Sequence, residues 1–103
     1  MATIKNIEAA EFDAAVAQGT VLADFWASWC SSCKMLSTIL EQAAKDIPDT
    51  VTIVKVDIDG AKELAMKLNI ATLPTLILYK DGAAVKTLVG MQSRAKLVEL
   101  LNA

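Results

Sequence analysis

Only two cysteines occur among the 103 residues, and they stand three positions apart as Cys30 and Cys33. They fall where a short apolar run, Val21 to Ala27, gives way to a helical pattern that begins at Ser31. A C-x-x-C in the first turn of a helix puts two sulfurs on neighbouring positions, close enough to bond. Closing so short a loop removes little entropy from the unfolded chain, so such a bond adds little stability and suits being made and broken. The free N–H groups and the positive end of the helix dipole favour a thiolate there. Cys30, the first and more exposed thiol, is expected to be the nucleophile of a thiol–disulfide exchange. Cys33, one turn further in, is expected to resolve the mixed disulfide.

Two simpler readings compete. Half of a zinc site also begins as C-x-x-C, but four protein ligands are normal and this chain has no His and no second Cys pair. No metal is therefore expected. Two incidental buried cysteines are the other reading, and their placement at a strand-to-helix junction argues against it. The absence of His leaves proton transfer to Asp, Glu, Lys, Tyr or Cys.

The surrounding pattern alternates between helix and strand. Phe12, Ala15 and Val16 have helical spacing, and Gly19 stops that segment. Val21 to Ala27 reads as a buried strand. A long helix is expected from Ser31 to about Ile47, with Met35, Leu36, Ile39, Leu40, Ala43, Ala44 and Ile47 as its apolar stripe and Pro48-Asp49 as its end. Val51 to Ile58 is rich in β-branched residues and reads as a second central strand. Ala61 to Leu68 is a short helix, with Asp59 as its expected N-cap. Thr75 to Lys80 and Ala83 to Val89 are strands around Asp81-Gly82, the strongest short hairpin signal. The last helix starts near Ser93 and carries Leu97, Leu100 and Leu101. With a short first strand, the order predicts an α/β fold: a mixed sheet of four to five strands flanked by about four helices. Its strand–helix–strand unit is parallel and right-handed, and its closing hairpin antiparallel.

Composition excludes several classes. Hydrophobic residues make up 54% of the chain, enough for a core without extra disulfides or a metal. The length suits one domain spanning residues 1–103. Ten basic against twelve acidic residues give a net charge of -2, dispersed along the chain, which argues against nucleic acid as a partner. Apolar runs fall far short of the roughly 20 residues of a membrane span, and residues 1 to 12 show no signal-peptide core. A soluble, cytoplasmic, monomeric protein is expected.

Asp24 shares a strand face with Leu22 and Trp26 by period two. That places its carboxyl in apolar surroundings, which raise its pKa toward the working pH and suit it to proton transfer. The competing reading is a strand Asp facing a solvent gap. Trp26 is most simply core, whereas Trp29 reads as a shield and docking surface beside Cys30.

The stretch from Asp24 to Met35, DFWASWCSSCKM, resembles the active-site segment of the thioredoxin family. Leu73-Pro74-Thr75, the YKDG hairpin and Val89-Gly90 follow in that family's order, so the resemblance spans essentially the whole chain. It implies the thioredoxin fold and a protein-disulfide reductase that binds no cofactor, drawing electrons from a thioredoxin reductase. Disulfide-containing proteins would be its substrates. It implies that Asp24 assists the inner thiol and that Lys55 is the lysine near that Asp, although a lysine snorkelling out of the sheet reads nearly as well. It implies a cis Leu73–Pro74 bond facing the cysteines, with Leu73 backbone groups free for a partner's extended segment. A trans proline opening an edge strand is the alternative. Gly90 would let that partner approach, unless it is an ordinary turn glycine.

The sequence departs from the family at three places. Ser31-Ser32 replaces the usual Gly-Pro, so the serines can hydrogen-bond a thiolate and relax the turn, modulating the potential. Thr38 stands where a helix-kinking proline is usual, which predicts a straighter helix. Ala71-Thr72 replaces a pair that normally includes Gly, making the groove edge bulkier. The reaction class survives these changes. A dedicated oxidant or isomerase, or a binding module without turnover, remain the alternatives.

Overall fold

The structure, a computed structural model, describes residues 1–103. Strands β1 (Thr3–Asn6), β2 (Thr20–Trp26), β3 (Val51–Asp57), β4 (Thr75–Lys80) and β5 (Ala83–Val89) form one sheet in the order β1-β3-β2-β4-β5. β3 runs parallel to both β1 and β2, and β4 runs antiparallel to β2 and β5. This is the thioredoxin fold, a five-stranded mixed sheet with four helices.

The helices are α1 (Phe12–Val16), α2 (Ser31–Ala44), α3 (Lys62–Lys67) and α4 (Arg94–Leu101). Because strand side chains alternate between faces, β2 feeds two cores. Val21, Ala23 and Phe25 pack with Phe12 and Val16 of α1 and with Ala61, beside α3. Leu22 turns the other way, onto Leu36, Leu40, Ala43 and Ala44 of α2 and Leu97 and Leu101 of α4. Asp24 continues the row of Leu22, so its carboxyl enters the α2 side of the sheet.

Local chemistry sets the ends. Asp81 and Gly82 both have positive φ, 50° and 88°, as a tight hairpin turn demands. Asp81 is also tied back to the entrance of β2, where Gly19 N–H donates to its Oδ1 at 2.8 Å. Ser93 caps α4 by accepting the Lys96 N–H at 3.1 Å. No helix is long and apolar enough to cross a membrane.

Three expectations need correction. α2 stops at Ala44, and Asp46 and Ile47 continue it only as i→i+3 turns, because the residue before Pro48 is pushed out of helical geometry. Met35 is exposed, since the buried stripe is Cys33, Leu36, Leu40, Ala43 and Ala44. Asp59 does not cap α3. The N-cap position is Ala61, without a side-chain bond, while Asp57 caps an intervening 3-10 turn, Ile58–Gly60, by accepting the Asp59 N–H at 2.9 Å.

Candidate active site

The end of β2 delivers Ala27 into the core, and the chain then turns to start α2 with Cys30 at the N-cap position. Cys30 Sγ accepts the Cys33 N–H at 3.2 Å, so the sulfur occupies the place a capping oxygen usually takes. Any negative charge on that sulfur faces a free helical N–H and the positive end of the dipole. The two cysteines form a disulfide, with Cα atoms 5.3 Å apart. Cys30 retains 9% of its surface and Cys33 only 1%, so the outer sulfur is the one a partner can approach.

The two serines between them are not equivalent. Ser32 Oγ lies 3.4 Å from Cys30 Sγ, whereas Ser31 is exposed and its hydroxyl hydrogen-bonds neither sulfur. α2 is continuous through Thr38, which is exposed, and Ala71 and Thr72 form an exposed edge before β4.

Asp24 is fully buried, and neither carboxylate oxygen has a protein hydrogen-bond partner. Burial pushes its pKa up to about 7, against a smaller lowering by the Lys55 ammonium. Lys55 is Asp24's register partner on β3, and paired residues share a sheet face. Its Nζ donates to Ser37 Oγ at 2.5 Å and sits 5.0 Å over the Trp26 ring. Trp26 is half-buried, and its indole N–H has no protein acceptor.

On the outer side, Trp29 is 68% exposed, yet its indole Nε1 donates to Asp59 Oδ2 at 3.1 Å. The exposed ring beside Cys30 is thus anchored from a turn 30 residues away. Sequence reasoning missed Asp59 in this role; its place just before the Ala61 to Leu68 helix suggested only an N-cap.

The Leu73–Pro74 bond is cis. Leu73 packs against the Ala27, Cys30 and Cys33 cluster, and its N–H and C=O take part in none of the chain's loop and turn hydrogen bonds. Pro74 is buried, and its carbonyl accepts the Gly90 N–H at 2.8 Å. Gly90 has φ 84°, and a Cβ there would meet nothing within 4 Å. Backbone conformation therefore accounts for this glycine, with open space on the side a Cβ would take. Gln92, also missed from the sequence, is buried and donates to the Val89 and Gly90 carbonyls at 3.4 and 3.3 Å, bracing that turn.

A cysteine pair joined as a disulfide at the junction of a central strand and its helix, in this mixed sheet, defines a protein of dithiol–disulfide exchange. The sequence model of thioredoxin matches residues 3–103, and the chain belongs to the thioredoxin family. It is 42% identical over 102 residues to the thioredoxin of Bacillus subtilis (strain 168), covering 99% of this chain and 97% of that one. It is 41% identical to the thioredoxin of Staphylococcus aureus (strain N315) over the same span. Among solved structures, a mutant thioredoxin from Halobacterium salinarum NRC-1 superposes with a TM-score of 0.86 at 32% identity, covering 97% of this chain and 88% of that one. The chain is accordingly a thiol–disulfide oxidoreductase with protein-disulfide reductase activity.

Proposed function

We propose that the chain, as one thioredoxin domain over residues 1–103, is a cytoplasmic reductant of protein disulfides, recharged by a thioredoxin reductase. The Cys30 thiolate attacks a substrate disulfide, forming a Cys30–substrate disulfide and releasing one substrate thiolate. The Cys33 thiol then gives up its proton and attacks Cys30 Sγ. The second substrate thiol leaves, the substrate has gained two electrons, and the Cys30–Cys33 disulfide remains. The observation that carries these roles is the Cys33 N–H donated to Cys30 Sγ at the helix N-terminus.

Asp24, poised near neutrality, takes the Cys33 proton, and Lys55 sets how readily it does so. Ser32 donates to the Cys30 thiolate and modulates the potential, whereas Ser31 acts only through the backbone of the turn. Trp29, Leu73, Pro74 and Gly90 form the docking face: the Leu73 amide and carbonyl offer an extended substrate segment two hydrogen bonds. The test of direction is the equilibrium potential of the Cys30–Cys33 couple against glutathione. A reductant must lie at or below about −230 mV, and a value near about −120 mV would make the chain an oxidant instead.

A further inference from the structure

Cys33 and Ser37 are four residues apart on α2, so they lie one above the other on the same helix face. Cys33 is buried against the end of β2, and Ser37, one turn below, meets the Lys55 ammonium that reaches up from β3. This is the only side-chain hydrogen bond between α2 and the sheet. It fixes one end of a long, flexible side chain whose other contact is the Trp26 ring. Lys55 does not close to ion-pair distance on Asp24; the chain's one ion pair joins Arg94 and Asp46. Beside Asp24, its register partner on β3 is Lys55 and the facing residue of β4 is Leu76, while α2, with Cys33 and Ser37 on successive turns, packs on that side of the sheet. Asp57, the register partner of Trp26, follows Lys55 on that face, Lys80 and Lys86 lie further along it, and Lys55 is the charged group that lowers the Asp24 carboxyl.

We propose that Ser37 is a positioning residue for the disulfide exchange: its hydroxyl holds the Lys55 ammonium beside Asp24 before Asp24 ionises. A lysine ammonium is strongly hydrated and sits on a long side chain with many rotamers, so an untethered one leaves a dry carboxyl for water. Tethered, it offers its charge without having to be reorganised when the proton arrives or departs. Ser37 thereby keeps the Asp24 titration near the pH at which Cys33 must lose its proton. This inference rests on the reading of Asp24 as the acceptor of that proton.

The test is a carbon-13 titration of the Asp24 carboxyl in the oxidised protein, where neither cysteine ionises. Ser37→Ala, which favours the helix and leaves both cysteines in place, is expected to raise the Asp24 midpoint by about 0.5–1 unit, part of the 1–3 units an adjacent opposite charge is worth. Ser37→Thr should restore it. In a Lys55→Met background, Ser37→Ala should add no further shift. An unchanged or lowered midpoint in Ser37→Ala, or a full shift that persists without Lys55, overturns the proposal. The pH profile of mixed-disulfide resolution separates the two ideas. If the carboxyl midpoint moves and the profile does not, Ser37 positions Lys55 as proposed but Asp24 is not the proton acceptor.

Discussion

Cys33 donates its backbone N–H to Cys30 Sγ at 3.2 Å, so the residue we propose as the resolving thiol also supplies a donor to the sulfur we propose as the nucleophile. Reaction of Cys30 with substrate removes the thiolate from that N–H and makes its sulfur the target of Cys33. In the proposed exchange, one turn of helix provides both the activation and the second step.

The first consequence is a low Cys30 pKa in the reduced protein. Alkylation of the Cys33→Ser variant followed against pH should give a midpoint clearly below the free-cysteine value of about 8.5. Ser32→Ala should raise that midpoint by about 0.5–1 unit, the cost of one long hydrogen bond to a charged sulfur. Ser31→Ala should leave it unchanged, because the Ser31 hydroxyl makes no hydrogen bond to the sulfur. Equal effects of the two serines would remove the side-chain role of Ser32.

Asp24 imposes a pH dependence on stability. Its carboxyl titrates near 7 when folded and near 3.8 when not, so between these values the unfolded chain releases a proton that the folded chain keeps. Stability is full below about pH 4 and falls as pH rises through 7. Asp24→Asn should abolish this slope and stabilise the oxidised protein at pH 8, by on the order of 4 kcal/mol if the whole shift is expressed. The same variant should slow mixed-disulfide resolution at neutral pH more than initial attack. Denaturant unfolding at pH 4 and pH 8 checks the first part, and parallel slopes for both proteins would place Asp24 in solvent.

The hairpin and the central strands were legible because their signals are local. Asp81-Gly82 can hardly be anything but a tight turn, and β4 and β5 begin and end where the alternation predicts. The cysteine pair was legible for the same reason: two residues and one helix terminus define it. Asp24 needed only its parity with Leu22. What stayed hidden depends on contacts between distant segments. The partners of Trp29 and Lys55 are Asp59 and Ser37, 30 and 18 residues away, and nothing in the local pattern of either residue announces them. Met35 misled because an apolar type was read as a buried one, although it stands off the row set by Cys33, Leu36 and Leu40.

The Trp29–Asp59 bond predicts a split between substrates. Asp59→Ala frees the ring without touching either sulfur, so binding of protein disulfides should weaken about two- to tenfold, the worth of one hydrogen bond. Reduction of a small disulfide should be nearly unaffected, because it needs no docking face. Comparing KM for the two substrates tests this, and equal losses would mean that Asp59 acts on the cysteines themselves.

The division of labour between the cysteines is tested most directly by trapping. Cys33→Ser, given a disulfide-containing protein, should accumulate a stable mixed disulfide through Cys30 and lose turnover with dithiothreitol. Cys30→Ser should trap nothing. Normal turnover by Cys33→Ser, or a trapped adduct on Cys33 in the Cys30→Ser protein, would contradict the account.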